Sequence, residues 1–153
     1  MENNQLKVTA IKNGTVLDHI PAENLFKVLS ILNLKEIDNP ITIGSNLESK
    51  TYGKKGIIKI SDRFFEDEEI NKIALVAPQA TINIIKDYKV VEKRVITIPD
   101  EVVGIAKCAN PMCVTNHQPI KTRFKTITRN GNQLLLCHYC EKTTDLLRII
   151  IEK

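Results

Sequence analysis

The four cysteines of this 153-residue chain stand as two close pairs, Cys108-x4-Cys113 and Cys137-x2-Cys140. Each pair forms a turn that presents two sulfurs. Two such turns brought together from distant strands give a tetrahedral four-thiolate metal site. The competing readings are two disulfides or four buried thiols. Disulfides need an oxidising compartment, and Met1-Glu2-Asn3-Asn4-Gln5 has neither the basic start nor the apolar run of a signal peptide. The expected location is therefore cytoplasmic and the expected occupant a metal. Zinc suits soft thiolates in a closed tetrahedron, and a rubredoxin-like iron centre with the same ligands is the alternative. Four sulfurs leave no open position for water, so the ion is expected to be structural. His138, between two ligands, is expected to face solvent.

Catalytic chemistry is harder to find. The sequence has no P-loop, no dinucleotide glycine fingerprint and no nucleophile elbow. Asp18 and His19 are neighbours, and on a strand their side chains would point to opposite faces. Lys55, Lys59 and Lys93 could meet phosphates, or could form an ordinary solvated basic surface.

The elements that must carry these residues follow from pattern. A strand is expected over Leu6 to Ile11, a tight turn at Asn13-Gly14, and an extended run over Val16–Ile20. Pro21 suits a first helical turn, and Leu25, Val28, Leu29 and Leu32 recur at helical spacing. Ile41–Ile43 reads as a strand and the polar stretch from Asn46 to Lys55 as a loop. In the strand Gly56–Ile60, Lys59 shares a face with Ile57, opposite Ile58 and Ile60. Glu66-Asp67-Glu68-Glu69 precedes Ile70, Ile73, Ala74 and Ala77, so it reads as an acidic helix start. Ala80–Lys86 and the stretch from Tyr88 read as strands.

That order predicts an α+β chain with a ferredoxin-like first domain whose helices cover one sheet face. Lys59 and Asn83 should then lie on the other. Pro99-Asp100-Glu101 is expected to link domains 1–98 and 103–153. The second is expected to be a small all-β unit of zinc-ribbon or rubredoxin-like type. Its hairpin should turn at Asn130-Gly131, and its folding should be coupled to metal binding.

Charge supports the division. Residues 1–100 carry 14 basic and 14 acidic side chains, residues 101–153 carry 8 and 4. Four thiolates around a dication leave the site at −2, which much of the second excess can balance. The basic residues Lys121, Arg123, Lys125 and Arg129 leave a zinc-ribbon nucleic-acid binder as the runner-up. The absence of tryptophan and 5% aromatic content argue against base stacking. The longest apolar runs fall far short of a membrane helix.

The segments Ala10-Ile11-Lys12, Gly14-Thr15-Val16, Asp18-His19-Ile20-Pro21-Ala22, Ile41-Thr42-Ile43-Gly44 and Ala77-Pro78-Gln79-Ala80-Thr81 resemble the regulatory chain of aspartate carbamoyltransferase. Both cysteine pairs, with Tyr139-Cys140-Glu141-Lys142, extend the likeness in colinear order. The resemblance implies a noncatalytic subunit of pyrimidine biosynthesis. An N-terminal allosteric domain would bind CTP, ATP and, as a further candidate, UTP, and a C-terminal zinc domain would dock on the catalytic chain. Regulatory chains would pair as homodimers within a dodecamer of six catalytic and six regulatory chains, without nucleic acid or membrane as partners. The nucleotide site it implies comprises Ile11, Val16, Asp18, His19, Lys59, Asn83, Ile85, Tyr88, Val90 and Lys93. Lys93 and His19 would meet phosphates, Asp18 and Lys59 the ribose and its neighbours, and Ile11, Ile85 and Tyr88 the base. Asn110, Glu141 and Lys142 would lie at the catalytic chain. Met112 stands where the family pattern has a polar residue.

Overall fold

The structure is a computed structural model that describes residues 10–33, 36–50 and 53–151. The chain divides into two compact units, one ending at Ile96 and the other beginning at Thr97.

The first unit begins with strand β1 (Gly14–Pro21), a single 3-10 turn at Ala22–Asn24 and helix α1 (Leu25–Ile31). Leu25, Val28 and Leu32 are buried, as their spacing predicts, and Phe26 on the outer side is exposed. Strands β2 (Ile41–Ser49) and β3 (Gly53–Ser61) follow, then helix α2 (Asp67–Val76), β4 (Thr81–Lys86) and β5 (Lys89–Val95). The acidic run does start a helix: Glu66 N–H donates to Glu69 Oε1 at 3.3 Å. Ile73, Ala74 and Ala77 are buried, and Pro78 prevents continuation.

The five strands lie in the order β2-β3-β1-β4-β5, all neighbours antiparallel. The first four in this order, β2-β3-β1-β4, have the ferredoxin-like arrangement, and β5 extends the sheet beyond β4. On the covered face Leu17, Ile58, Ile60 and Ile82 meet the helices' buried residues. Fully burying each such side chain contributes roughly 1.5–3 kcal/mol. Gly56 lies under α1, where an added Cβ would stand 2.8 Å from a Leu25 methyl.

The expected loop from Asn46 to Lys55 is instead the ends of two paired strands, apart from a turn residue at Lys50 and from 51–52, which are outside the described residues. Leu47 pairs with Lys55, Glu48 with Lys54 and Ser49 with Gly53, beyond a register shift after Gly44. Opposite charges at Glu48 and Lys54, and Leu47 packing on an apolar cluster, supply what local polarity hides. The expected first strand falls mainly outside the described residues; Ala10 and Ile11 are not in a strand. Lys12 and Asn13 instead stitch two ends of the sheet. Lys12 O accepts Tyr88 N–H at 2.9 Å and Asn13 O accepts Asp62 N–H at 2.9 Å. Asn13 Oδ1 accepts Asp87 N–H at 3.2 Å.

In the second unit, β6 (Glu101–Val103), β8 (Arg123–Arg129), β9 (Asn132–Cys137) and β10 (Thr143–Asp145) form a sheet in the order β10-β9-β8-β6. A small pair joins β7 (Ala106–Lys107) to β11 (Ile150–Ile151). The β8–β9 hairpin turns at Asn130 and Gly131, both at positive φ, 53° and 79°, as an Asn-Gly turn requires. Phe124, Val102 and Leu135 fill the interior. Pro99 to Glu101, expected as a linker, belongs to this unit. Thr126 donates its hydroxyl to Pro99 O at 2.7 Å and its N–H to Asp100 O at 2.8 Å, and Glu101 pairs with Lys125.

Candidate functional site

Strand register assembles the first candidate site. Lys59 on β3 pairs with Val16 on β1, Val16 with Asn83 on β4, and Asn83 with Lys93 on β5. Directly opposed residues share a face, so these four form one row across the sheet, on the side away from Ile58 and Ile60. One step along, Ile85 pairs with Val90. Val16, Ile57 and Ile85 are buried together on this face, with Ile11 and Leu47 packed against them. The row thus sets ammonium groups and an amide beside an apolar floor. Tyr88 and Val90 at the edge are exposed.

His19 departs from the strand geometry expected of it. A register shift separates Leu17 from Ile20 on β1, and His19 takes φ 59°. This bulge turns the side chain back, so that His19 Nδ1 lies 3.8 Å from Asp18 Oδ2 and 3.3 Å from Thr81 Oγ1. Adjacent residues therefore do meet, because the bulge breaks the alternation. Asp18 Oδ1 accepts the His19 N–H at 2.6 Å and pairs with Lys55 Nζ at 2.9 Å. Burial pushes the Asp18 carboxyl up, but the Lys55 ammonium and the His19 N–H outweigh it and hold the group below its ordinary value. Burial draws the Lys59 ammonium below its usual range, with the Asp18 carboxylate opposing. Lys55, Lys59 and His19 near the Asp18 carboxylate, with Lys93 at the end of the row, make the face suited to an anion with an apolar or aromatic part.

All ten residues expected at the nucleotide site fall on this face, its edge strand, the β4–β5 turn that holds Tyr88, or the segment leading into β1. The structure adds Thr81, Ile57 and Leu47, and gives Lys55 a defined partner. Ile57 was legible from its alternation with Ile58; Thr81 and Leu47 join through pairing alone.

The second candidate site is the cysteine cluster. The Sγ atoms of Cys108, Cys113, Cys137 and Cys140 all lie within 4.8 Å of one another, with Cys108 to Cys140 at 3.7 Å and Cys113 to Cys137 at 3.8 Å. The set fits a tetrahedral ion, and burial of the first three matches a closed structural site. Donors surround the sulfurs. Thr115 Oγ1 donates to Cys113 Sγ at 3.2 Å and Tyr139 N–H to Cys137 Sγ at 3.4 Å. Burial pushes the Cys108 thiol up to about 12 and raises Cys137 as well. At Cys140 burial acts in the same sense, but the Asn110 side chain and the Lys142 N–H bring the thiol down to about 7. His138 is exposed and outside the cluster; its N–H donates to Arg123 O at 2.9 Å.

Of the three residues expected at a partner, Glu141 and Lys142 are exposed. Glu141 sits at φ 61° with its N–H on Cys137 O at 3.0 Å, and Lys142 O accepts Cys137 N–H at 2.9 Å. Asn110 is half-buried and organises the first cysteine turn: Oδ1 accepts Met112 N–H at 3.1 Å and its carbonyl accepts Cys113 N–H at 3.0 Å.

Comparison with known proteins matches both units to one family. Residues 6–97 match the family model for the aspartate carbamoyltransferase regulatory chain, allosteric domain, and residues 100–150 that for its metal binding domain. The chain is 58% identical over 142 residues to the aspartate carbamoyltransferase regulatory chain of Bacteroides fragilis, covering 92% of each chain. It is 50% identical over 148 residues to that of Parabacteroides distasonis, covering 97% of this chain and 96% of the other. It is 52% identical over 141 residues to that of Thermococcus sibiricus, covering 92% and 93%.

Proposed function

Because the chain belongs to the family of aspartate carbamoyltransferase regulatory chains, a noncatalytic subunit, we propose that it binds nucleoside triphosphates on the open sheet face and transmits their effect to catalytic chains. The observation that carries this reading is the row Lys59, Val16, Asn83 and Lys93 lying across four strands beside the Val16, Ile57 and Ile85 floor.

In this reading Lys93 and His19 hold phosphates, Asp18 and Lys59 the ribose and its neighbours, and Ile11, Ile85, Tyr88 and Val90 flank the base. An apolar floor and backbone groups do not select strongly between rings, so CTP, ATP and UTP compete for one pocket. Residues 1–98 form the nucleotide-binding domain and 103–153 the zinc-binding domain. Cys108, Cys113, Cys137 and Cys140 hold one structural zinc, which fixes the two turns that carry Asn110, Glu141 and Lys142 toward the catalytic chain. Regulatory homodimers join six catalytic and six regulatory chains in the cytoplasm, in control of pyrimidine biosynthesis.

An effector can shift a two-state assembly only through different affinities for the two states. The test is to measure CTP and ATP affinities of the assembled complex with its active sites empty and then saturated with a substrate analogue. Unequal affinities are expected. Equal affinities would remove the thermodynamic basis for regulation.

A further inference from the structure

We propose that Asn130 is a modification site, where the Asn130-Gly131 turn closes spontaneously to a succinimide and reopens to aspartate and isoaspartate, while the same dipeptide at Asn13-Gly14 is kept intact by the fold. The sequence holds the two as a matched pair, Lys12-Asn13-Gly14 and Arg129-Asn130-Gly131, each with a basic residue in front. Glycine has no Cβ to shield its nitrogen, so local sequence leaves both asparagines open to attack. Their surroundings differ. Asn130 and Gly131 are both exposed at the tip of the β8–β9 hairpin, and nothing lies within 4 Å of the place a Gly131 Cβ would take. Asn13 is half-buried and Gly14 buried. Asn13 Oδ1 accepts Asp87 N–H at 3.2 Å, and Asn13 O accepts Asp62 N–H at 2.9 Å. Gly14 is paired on both sides, with Ser61 on β3 and with Ile85 on β4.

The reaction balances with water alone. A base in solvent takes the Gly131 N–H proton and the nitrogen attacks Asn130 Cγ. The N–Cγ bond forms, the Cγ–Nδ2 bond breaks, and Nδ2 takes up a proton and leaves as ammonia. Water then opens the ring. Breaking the new N–Cγ bond leaves aspartate. Breaking the bond from the same nitrogen to the Asn130 main-chain carbonyl leaves isoaspartate, with the backbone running through Cβ. To reach Cγ the nitrogen must swing about the asparagine backbone. At the hairpin tip this disturbs two exposed residues, whereas at Asn13 the start of β1 must part from both neighbouring strands, which is a local unfolding event. Either product sets a carboxylate beside Arg129, in a segment, 101–153, that carries 8 basic and 4 acidic side chains. Isoaspartate also lengthens the main chain of the two-residue turn, so that Arg129 and Asn132, paired across it, lose their register.

The test is timed incubation of the zinc-loaded full chain in mildly alkaline buffer. The peptides containing Asn13 and Asn130 are read by mass for the change from amide to acid, and isoaspartate is read by carboxyl methylation with an isoaspartyl methyltransferase. Conversion at Asn130 is expected to run at least about tenfold ahead of conversion at Asn13, the lag being set by local opening, and both products should appear. In urea the two sites should convert at comparable rates, because only local sequence then acts. Gly131→Ala places a Cβ beside the attacking nitrogen and should slow conversion at Asn130. Zinc content reports whether that variant folds, and the comparison of the two sites in the unaltered chain stands without it. Conversion at Asn13 as fast as at Asn130 in the folded chain would overturn the proposal, as would an Asn130 that stays intact while the chain in urea converts. Aspartate formed without isoaspartate would show direct hydrolysis of the amide and contradict the route through Gly131.

Discussion

Lys55 Nζ stands 2.9 Å from Asp18 Oδ1, and the same oxygen accepts the N–H of His19 at 2.6 Å. One carboxylate thus closes the bulge in β1 and ties β3 to it. The Asp18 carboxyl is held below its ordinary value, so the folded state binds its proton more weakly than the unfolded chain. Its contribution is complete above the unfolded value near 4 and is lost as pH falls through the lower, folded one. NMR titration should place the Asp18 carboxyl below its ordinary value of 3.8. Lys55→Ala should raise it and lower the stability of the first unit by about 1 kcal/mol at pH 7.

Gly14 opens β1 at φ 142°. A Cβ there would collide with Ile60 O and lie 2.9 Å from Asp62 N. Neither atom belongs to a flexible side chain, so the strands would have to part. Gly14→Ala should destabilise the first unit by about 3 kcal/mol or more, read from urea unfolding.

The β4–β5 turn places Asp87 and Tyr88 at φ 50° and 66°, where a tyrosine is strained by roughly 1 kcal/mol. Tyr88→Gly should therefore raise thermal stability slightly while weakening nucleotide binding, because it relieves the turn and removes a ring from the base. Parallel melting and binding curves check both halves.

At the cysteine cluster, ion binding must displace thiol protons, so affinity should fall as pH is lowered from 8 to 6. Burial holds Cys108 at about 12 and raises Cys137, while Cys140 is brought down to about 7, so near neutral pH an ion must displace the protons of the first two thiols. Thr115→Val removes the hydroxyl 3.2 Å from Cys113 Sγ and should weaken zinc binding by about 10–100-fold. Chelator competition followed by circular dichroism reads both effects.

Much of this was legible in the chain. The faces of both helices, the Asn130-Gly131 turn, the four clustered cysteines and the burial split between Lys59 and its neighbours Ile58 and Ile60 are local patterns. What escaped was set by pairing at a distance. The Leu47–Ser49 stretch looks like loop because its strand character depends on Lys54, Lys55 and Ile57 across the hairpin. His19 looks like a strand residue, and only the register shift against β3 brings it to Asp18 and Thr81. Pro99 and Asp100 have linker composition, yet Thr126 holds both. The resemblance supplied the candidate nucleotide residues; the assembly of Lys59, Val16, Asn83 and Lys93 into one row follows from register.

The most direct test of the central claim is calorimetric titration of CTP and ATP into the zinc-loaded chain, with Lys93→Ala as control. Saturable binding of both nucleotides, lost or weakened about tenfold or more in the variant, is the expected result. Binding that survives the substitution undiminished, or no binding either in the folded chain or in its complex with the catalytic chain, would contradict a triphosphate site on this face.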